Sequence, residues 1–333
     1  MGLSRLGQAL TARDIRALVR VELDQVEREI NLESVASAQA VTAISHHLQE
    51  NGGKRLRPIL LLLSAKLLGE VNDSAIKLAA VVELIHSATL VHDDVIDQAS
   101  TRRGKPSANV VWGNHTCVLA GDWLYMQAFQ VALRLRNFTV LDILISLTQM
   151  MVEGELMQLE RLGRIDVSEG DYLDLVDRKT ASLFSACSRL GALAAGADEQ
   201  VEAKLADFAW NLGMAFQLVD DVLDFTARES VLGKPVGSDL REGKVTLPLI
   251  YALCGAGTEE RELVATVLRH GNYDRVPLAS ILALMERHGG IARARQRAQD
   301  FTERARAIIS TLPDSSYQRA LYTMTELVTE REY

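Results

Sequence analysis

The chain has 333 residues, of which 48% are hydrophobic and 24% are charged, and its mean hydropathy is +0.05. This composition excludes a disordered or collagen-like chain and provides ample apolar surface for a folded core. The net charge of −8 argues against nucleic acid as the main partner.

Helical periodicity dominates the sequence. The chain has only six prolines, and none lies between Pro106 and Pro235, a gap that strand-and-turn folds rarely leave. Apolar residues recur at helical spacing in ten segments, at 12–32, 58–68, 74–97, 112–135, 139–162, 169–195, 199–225, 247–253, 278–287 and 291–312. Because no low-complexity linker separates these segments, we predict an all-α protein with a single large helical bundle domain over residues 1–333.

The cysteines and the lengths of the apolar stretches indicate the cellular compartment of the protein. Cys117, Cys187 and Cys254 are odd in number and widely spaced, which fits neither a disulfide framework nor a zinc site. Residues 1–30 scatter charges among their apolar side chains and lack a signal-peptide core. The longest uncharged stretches are too short to span a bilayer. We therefore expect a cytoplasmic protein without a transmembrane segment.

The most informative feature is a duplicated acidic pentad, DDVID at 93–97 and DDVLD at 220–224. In a helix Asp93 and Asp97 share a face, with Asp94 about 100° round. Both pentads have strongly apolar flanks, and carboxylates clustered on apolar helices repel one another unless cations neutralise them. The two clusters therefore predict two facing walls of one site.

The donor set of these pentads indicates which cation they bind. It contains only carboxylate oxygens, with no His or Cys at ligand spacing, and this favours a hard divalent ion. Mg²⁺ usually binds a few carboxylates together with the phosphate oxygens of a substrate, so the pentads point to a diphosphate. For either pentad alone, an exposed acidic helix face is the alternative; an EF-hand loop is excluded by the apolar Val95 and Ile96.

Basic residues stand where a phosphate site requires them. A glycine-rich turn enters a helix at 51–58, and both pentads are followed by loops that contain cations. The basic residues of these three segments include Lys54, Arg57, Arg102, Arg103, Lys234 and Lys244. Neither lysine loop after the second pentad matches a Walker P-loop, and the chain has no GxGxxG or HExxH motif. We therefore expect diphosphate chemistry without a nucleotide-binding fold.

Taken in order, these motifs resemble those of the trans-isoprenyl diphosphate synthases, and within them the long-chain, octaprenyl-like polyprenyl diphosphate synthases. The matching stretches are GGKRLRP at 52–58, HSATLVHDDVIDQASTRRGKPSAN at 86–109, GD at 121–122, KT at 179–180, GMAFQLVDDVLD at 213–224 and GKPVGSDLREGKVTLP at 233–248. The resemblance implies an isoprenoid-synthase bundle with an active-site cavity between its central helices.

The resemblance also implies a reaction and a set of roles. The reaction would be the Mg²⁺-dependent head-to-tail condensation of isopentenyl diphosphate onto farnesyl or geranylgeranyl diphosphate, giving a long all-trans polyprenyl diphosphate for quinone side chains. Three Mg²⁺ ions would be held by Asp93, Asp97 and Asp220, with support from Asp94, Asp221 and Asp224, the last itself a candidate ligand. Isopentenyl diphosphate would be bound by Lys54, Arg57, His86 and Arg103. The allylic diphosphate would be bound by Arg102, Lys179, Lys234 and Lys244, with Thr180 and Gln217 lining the pocket of the reacting cation.

The sequence also leads to expectations about the length of the product and the oligomeric state of the protein. Ala88 and Thr89 are small side chains roughly 6 to 8 Å along the helix from Asp93, where a growing chain must pass. Since bulky aromatics there are typical of short-chain family members, we predict a long product, with Met126 and Phe129 as candidates for the floor of its tunnel. The resemblance further implies a homodimer, and a lipid product that brings the protein near a membrane. Open alternatives are a geranylgeranyl diphosphate synthase, a class I terpene cyclase, an inactive regulatory subunit and a purely structural bundle.

Overall fold

The computed structural model describes residues 10–50, 53–102, 104–227 and 235–329. Nearly all of this length is helical, which confirms the predicted all-α class. The density of internal contacts divides the chain into two compact units. Unit 1 consists of Met1–Ile145, Phe184–Ala209 and Ala305–Leu327, and unit 2 of Ser146–Leu183, Trp210–Arg304 and Val328–Tyr333.

The first part of unit 1 consists of helices and one small hairpin. The helices are α1 (Ala12–Leu18), α2 (Arg20–Glu33), α3 (Gln39–Glu50), α4 (Leu56–Leu68), α5 (Asp73–Ile96), α6 (Ala108–Trp112) and α7 (Asn114–Arg134). Between α5 and α6, β1 (Thr101–Arg102) pairs antiparallel with β2 (Lys105–Pro106).

The remaining described elements are helical. They are α8 (Phe138–Arg161), α9 (Glu169–Val176), a π-helical turn (Asp177–Ala181), α10 (Ser182–Ala194), α11 (Glu199–Thr226), α12 (Ser238–Arg241), α13 (Leu247–Gly255), α14 (Thr258–His270), α15 (Leu278–Arg287), α16 (Gly290–Ile309) and α17 (Ser316–Thr329). Within unit 2, α13 packs against α9 and α15, and α14 packs against α12 and α15.

Helix α5 forms the centre of unit 1, where it packs against α2, α4 and α7. It begins at the cap Asn72, whose side chain accepts a hydrogen bond from the N–H of Ala75. All residues from Leu78 to Ile85 are buried. In the part of the chain that the structure describes, α5 alone is long and apolar enough to cross a membrane by composition, and 67% of that stretch is buried inside the structure. Its apolar length therefore serves the core of the unit.

The structure departs from the predicted helices at several points. The segment 12–32 is divided at Val19, and 112–135 is divided at Gly113, whose φ of 78° interrupts the helix. Helices α3, α14 and α17 lie where no helix is predicted. Their buried faces are short or partly polar, as at Ser45 in α3 and Thr325 in α17, and this weakens the apolar period that predicts a helix.

Candidate active site

The first pentad lies at the end of α5, in unit 1. The helix ends at Ile96, and the N–H of Asp97 donates to the carbonyl of Asp93 at 2.8 Å. Asp93 is half-buried and Asp97 is exposed. Burial raises the pKa of Tyr125 in α7, and the negative charge of Asp93 raises it further. Asp93 and Asp97 are thus two accessible carboxylates one turn apart on one face.

Asp94 has a different environment from its two neighbours. It has no exposed surface, and its Oδ1 accepts from Nε of Arg102 at 2.7 Å. Its Oδ2 accepts from the N–H of Ala108 at 3.3 Å, at the start of α6. Asp94 therefore holds the loop that follows the pentad at two points, Arg102 and Ala108. Arg102, which is predicted to bind a substrate, is thus also hydrogen-bonded to Asp94. Arg103 lies outside the described residues.

The glycine-rich turn before α4 is held by an arginine that sequence reasoning missed. Arg55 has a left-handed φ of 50°, donates to Glu27 from Nε at 2.6 Å and donates to Glu83 from Nη1 at 2.7 Å. Lys54 is exposed, and the guanidinium of Arg57 lies 5.6 Å from the ring centroid of Phe184. Arg55 thus ties the segment that carries both predicted ligands to α2 and α5. The sequence does offer a signal for Arg55, because it is a third cation in the short stretch from Lys54 to Arg57.

The remaining predicted residues of α5 divide between two faces of the helix. His86 lies two turns before Asp93 and is half-buried, so the two side chains share a face. The Thr89 hydroxyl donates to the His86 carbonyl at 2.7 Å on that side. Ala88, in contrast, is completely buried among the side chains of unit 1. Of the two small residues, Thr89 is therefore the one beside the aspartates.

The glycine of the GD motif, Gly121 in α7, has a packing explanation. A Cβ added at Gly121 would overlap the imidazole ring of His92, so α7 can approach α5 closely only with glycine there. Met126 and Phe129 of α7 line an open groove of about 400 Å³ on unit 1, and Met126 is 63% exposed. Their proposed part in a tunnel floor stays a prediction.

The second pentad lies near the end of α11, in unit 2. Asp220 is half-buried, whereas Asp221 and Asp224 are buried. Asp221 accepts hydrogen bonds from Oη of Tyr172 at 2.6 Å and from Nε2 of Gln217 at 2.8 Å. Burial raises the pKa of Asp221 to about 8, and the charges of Asp239 and Asp220 add to the effect. Asp221 is therefore a buried residue that links Tyr172 to Gln217 by hydrogen bonds inside unit 2.

Asp224 holds the segment that follows α11. Its carbonyl accepts from the N–H of Gly237 at 2.8 Å, and its carboxylate accepts from the Ser238 hydroxyl and the Asp239 N–H, both at 3.3 Å. Gly237 has a φ of 71°, and a Cβ there would lie 2.5 Å from Oη of Tyr273. The Asp224 carboxylate, considered a candidate metal ligand, thus fixes the start of α12. Lys234 lies outside the described residues.

One cavity of unit 2 brings several predicted residues together. It has a volume of about 170 Å³, and its wall includes five residues selected from the sequence, namely Lys179, Thr180, Gln217, Asp221 and Lys244. The Thr180 hydroxyl donates to Oε1 of Gln217 at 2.9 Å, and Nζ of Lys179 donates to Glu155 at 2.5 Å. Lys179 and Thr180 lie in the π-helical turn, a rare distortion that is frequent at functional sites.

Tyr172 also lines this cavity, and sequence reasoning missed it. It precedes Lys179 by seven residues, which is two turns in the helix predicted over 169–195. This spacing from the Lys-Thr pair was the available signal.

The described residues do not by themselves form a complete metal cage. Among them, no three His, Cys, Asp or Glu side chains converge closely enough to hold a metal ion. The donor set nevertheless fits Mg²⁺, because Asp93 and Asp97 offer accessible oxygens on one face and Asp220 is half-buried rather than enclosed.

Comparisons with known proteins agree with these motifs. The family model for polyprenyl synthetase matches residues 38–285. The geranyl-diphosphate-specific all-trans-nonaprenyl-diphosphate synthase of Rhodobacter capsulatus is 40% identical to this chain, covering 96% of it and 98% of the relative. The octaprenyl diphosphate synthase of Escherichia coli (strain K12) is 35% identical over 100% of both chains. Geranylgeranyl diphosphate synthases are also among the matches.

The fold has close counterparts among solved structures. The polyprenyl synthase from Caulobacter crescentus CB15, complexed with calcium and isoprenyl diphosphate, matches with a TM-score of 0.92 and 35% identity. The match covers 97% of this chain and 99% of that one. The predicted all-α fold of the isoprenoid-synthase type is thereby confirmed.

Proposed function

The chain belongs to the polyprenyl synthetase family, and on that premise we propose that it is a long-chain polyprenyl diphosphate synthase. The reaction joins isopentenyl diphosphate to an allylic diphosphate. The allylic C–O bond breaks, diphosphate leaves, a carbon–carbon bond forms to the isopentenyl double bond, and a proton is lost to the departing diphosphate. The observation that carries the proposal is the cavity of unit 2 beside the second pentad, whose wall includes Lys179, Lys244, Thr180 and Gln217.

The acidic residues would bind the metal. We assign the ligands of three Mg²⁺ ions to Asp93, Asp97 and Asp220, because these carboxylates have exposed surface. Mg²⁺, when bound, neutralises the charge that develops on the leaving diphosphate. The contacts of Asp224 with α12 favour its supporting role over direct ligation. That both pentads face a single substrate stays a prediction.

The basic residues would hold the two diphosphates. Lys179 and Lys244 line the cavity of unit 2 and suit the allylic diphosphate, together with Arg102 and Lys234. Isopentenyl diphosphate would be bound by Lys54, Arg57, His86 and Arg103. Thr180 and Gln217 would line the pocket of the allylic cation, shielded from water by apolar neighbours such as Val176 and Val245.

We further propose a long all-trans product grown from farnesyl or geranylgeranyl diphosphate and used for quinone side chains. Thr89, a small residue on the aspartate face of α5, leaves room for a growing chain. Product analysis by mass spectrometry with each primer and excess isopentenyl diphosphate tests this proposal. A C20 end product from the farnesyl primer would instead indicate a geranylgeranyl diphosphate synthase.

A homodimer is supported by unpartnered apolar residues. Leu119, Met126 and Leu133 recur every seven residues along α7 and are 68%, 63% and 48% exposed. Val152 and Leu159 of α8 have the same spacing and are also exposed. Heptad stripes of this kind pack against a second helix, so we propose that a second copy of the chain covers them. We also propose that each copy is a single domain over 1–333 that works in the cytoplasm, with its lipid product bringing it near a membrane.

The decisive experiment measures consumption of isopentenyl diphosphate. The purified protein should consume it only with Mg²⁺ and an allylic diphosphate, and Asp93→Ala or Asp220→Ala should abolish turnover while the helical circular dichroism is retained. Asp274→Ala, at an exposed aspartate of unit 2, is the matched control and should keep full activity. Conversion of the allylic diphosphate without isopentenyl diphosphate would indicate a cyclase, and no conversion at all an inactive subunit.

A further inference from the structure

Tyr172 is a buried polar residue of the cavity that the proposed reaction does not yet use. It lies on α9, is 3% exposed, and lines the cavity of unit 2 beside Thr180 and Gln217. Its hydroxyl donates to Oδ2 of Asp221 at 2.6 Å, within the range of strong bonds between a hydroxyl and a carboxylate. A buried tyrosine hydroxyl committed to a buried carboxylate calls for an explanation.

The hydrogen bond belongs to a continuous chain of four side chains. Oδ1 of Asp221 accepts from Nε2 of Gln217 at 2.8 Å, and Oε1 of Gln217 accepts from the Thr180 hydroxyl at 2.9 Å. The Tyr172 hydroxyl occupies one oxygen of Asp221 and the Gln217 amide N–H occupies the other, so the amide oxygen of Gln217 is the end that faces Thr180. The orientation of both cavity-lining groups is therefore set from the Asp221 end of the chain.

We propose that Tyr172 is a positioning residue for the condensation, holding Asp221 so that the Gln217 amide and the Thr180 hydroxyl keep their directions in the cavity. The inference rests on the proposed function, because it matters only if these two groups line the pocket of the reacting cation.

The physical reason is that the buried Asp221 side chain has a separate donor for each of its oxygens, Tyr172 for one and Gln217 for the other. Without the Tyr172 hydroxyl, one oxygen of Asp221 loses its donor, and an unsatisfied buried acceptor is costly. The carboxylate would then draw on the second N–H of Gln217 and turn the amide away from Thr180. Small displacements of groups around a reacting centre lower the rate of the chemical step more than the binding of substrate.

The test is the substitution Tyr172→Phe, which keeps the ring and removes only the hydroxyl. We expect kcat to fall about ten- to a hundredfold, while the KM for isopentenyl diphosphate stays within about twofold of wild type. The matched control is Tyr251→Phe, which removes another buried hydroxyl of unit 2, one that is hydrogen-bonded to Glu169, and it should leave kcat unchanged.

Two further variants make the result specific. Tyr172→Phe should add almost nothing to the loss in kcat caused by Thr180→Val, because both break the same chain of hydrogen bonds. Introducing 4-aminophenylalanine at position 172 restores a donor to Asp221 and should restore kcat.

Three outcomes overturn the proposal. These are a wild-type kcat in Tyr172→Phe, losses in the double variant that multiply as if independent, and a folded 4-aminophenylalanine variant that stays at the low kcat. If Tyr172→Phe does not fold, the folded 4-aminophenylalanine variant is compared with wild type, and a kcat about tenfold or more below wild type overturns the proposal. If the wild-type protein itself consumes no isopentenyl diphosphate, the proposed function has failed.

Discussion

Removal of the Arg55 side chain should destabilise unit 1 by breaking a largely buried ion-pair cluster. Arg55 and Glu83 have side chains that are 11% and 7% exposed, and Glu27 is 30% exposed. Burial alone would lower the pKa of Arg55, but hydrogen bonds and charge from the two glutamates outweigh it and raise the pKa. Arg55→Ala leaves the buried Glu83 carboxylate without this partner, which costs about 3–5 kcal/mol. We expect wild type to be the most stable, Glu27→Gln to be intermediate and Arg55→Ala to be the least stable.

The loss translates into a measurable shift in melting temperature. With an unfolding entropy of about 2.1 cal/mol/K per residue, the 333-residue chain should melt roughly 4–7 °C lower in differential scanning calorimetry. Arg55→Gly is the matched comparison, because glycine relieves the left-handed φ at this position by about 1 kcal/mol and should melt above Arg55→Ala. In both variants the KM for isopentenyl diphosphate should rise, since Lys54 and Arg57 flank the changed residue. The reasoning would be refuted if Arg55→Ala melted at the wild-type temperature. It would also be refuted if Arg55→Gly melted at a lower temperature than Arg55→Ala.

Three other predictions test separate parts of the structure. Met126→Glu places a charge in the heptad stripe of α7 and should shift the protein toward monomer in light scattering, whereas an unchanged dimer would remove that stripe from the interface. Gly237→Ala strains a left-handed position and crowds Tyr273, so the free energy of unfolding should fall by about 1–3 kcal/mol in a urea titration; unchanged stability would contradict the close approach of Tyr273 to this glycine. In the native protein a thiol reagent should modify the exposed Cys254 alone, because burial shields the other two cysteines and raises their pKa; rapid reaction of all three would contradict their burial.

Helices with long, largely apolar buried faces are predicted most clearly from the sequence. Helix α5 is the clearest case, since its run from Leu78 to Ile85 is almost entirely apolar and fully buried. In contrast, α14 buries only Val264 and Val267, and such a short pattern does not stand out from chance spacing. The gathering of Lys179, Thr180, Gln217 and Lys244 around one cavity followed from the family motifs rather than from periodicity.

Partners that depend on tertiary contacts could not be predicted in the same way. Nothing in the spacing of Arg102 or Ser238 shows that their side chains bind Asp94 and Asp224, because each pair is brought together by the path of a loop. A pattern of charges indicates that a site needs cations, but it does not indicate which of them also holds a loop.

The duplicated pentad combines two tasks that helical geometry keeps apart. Adjacent aspartates point about 100° away from each other, so one can lie on an accessible face while its neighbour lies toward the interior of the unit. In both pentads the first aspartate, Asp93 or Asp220, is half-buried, and the second, Asp94 or Asp221, is buried and hydrogen-bonded to residues outside its own helix. The pair DD therefore supplies one accessible carboxylate, which we propose as a metal ligand, and one buried side chain that holds a loop or a cavity wall. A substitution of the second aspartate would thus act on the position of a loop or a cavity wall, even where it abolishes turnover as completely as a substitution of the first.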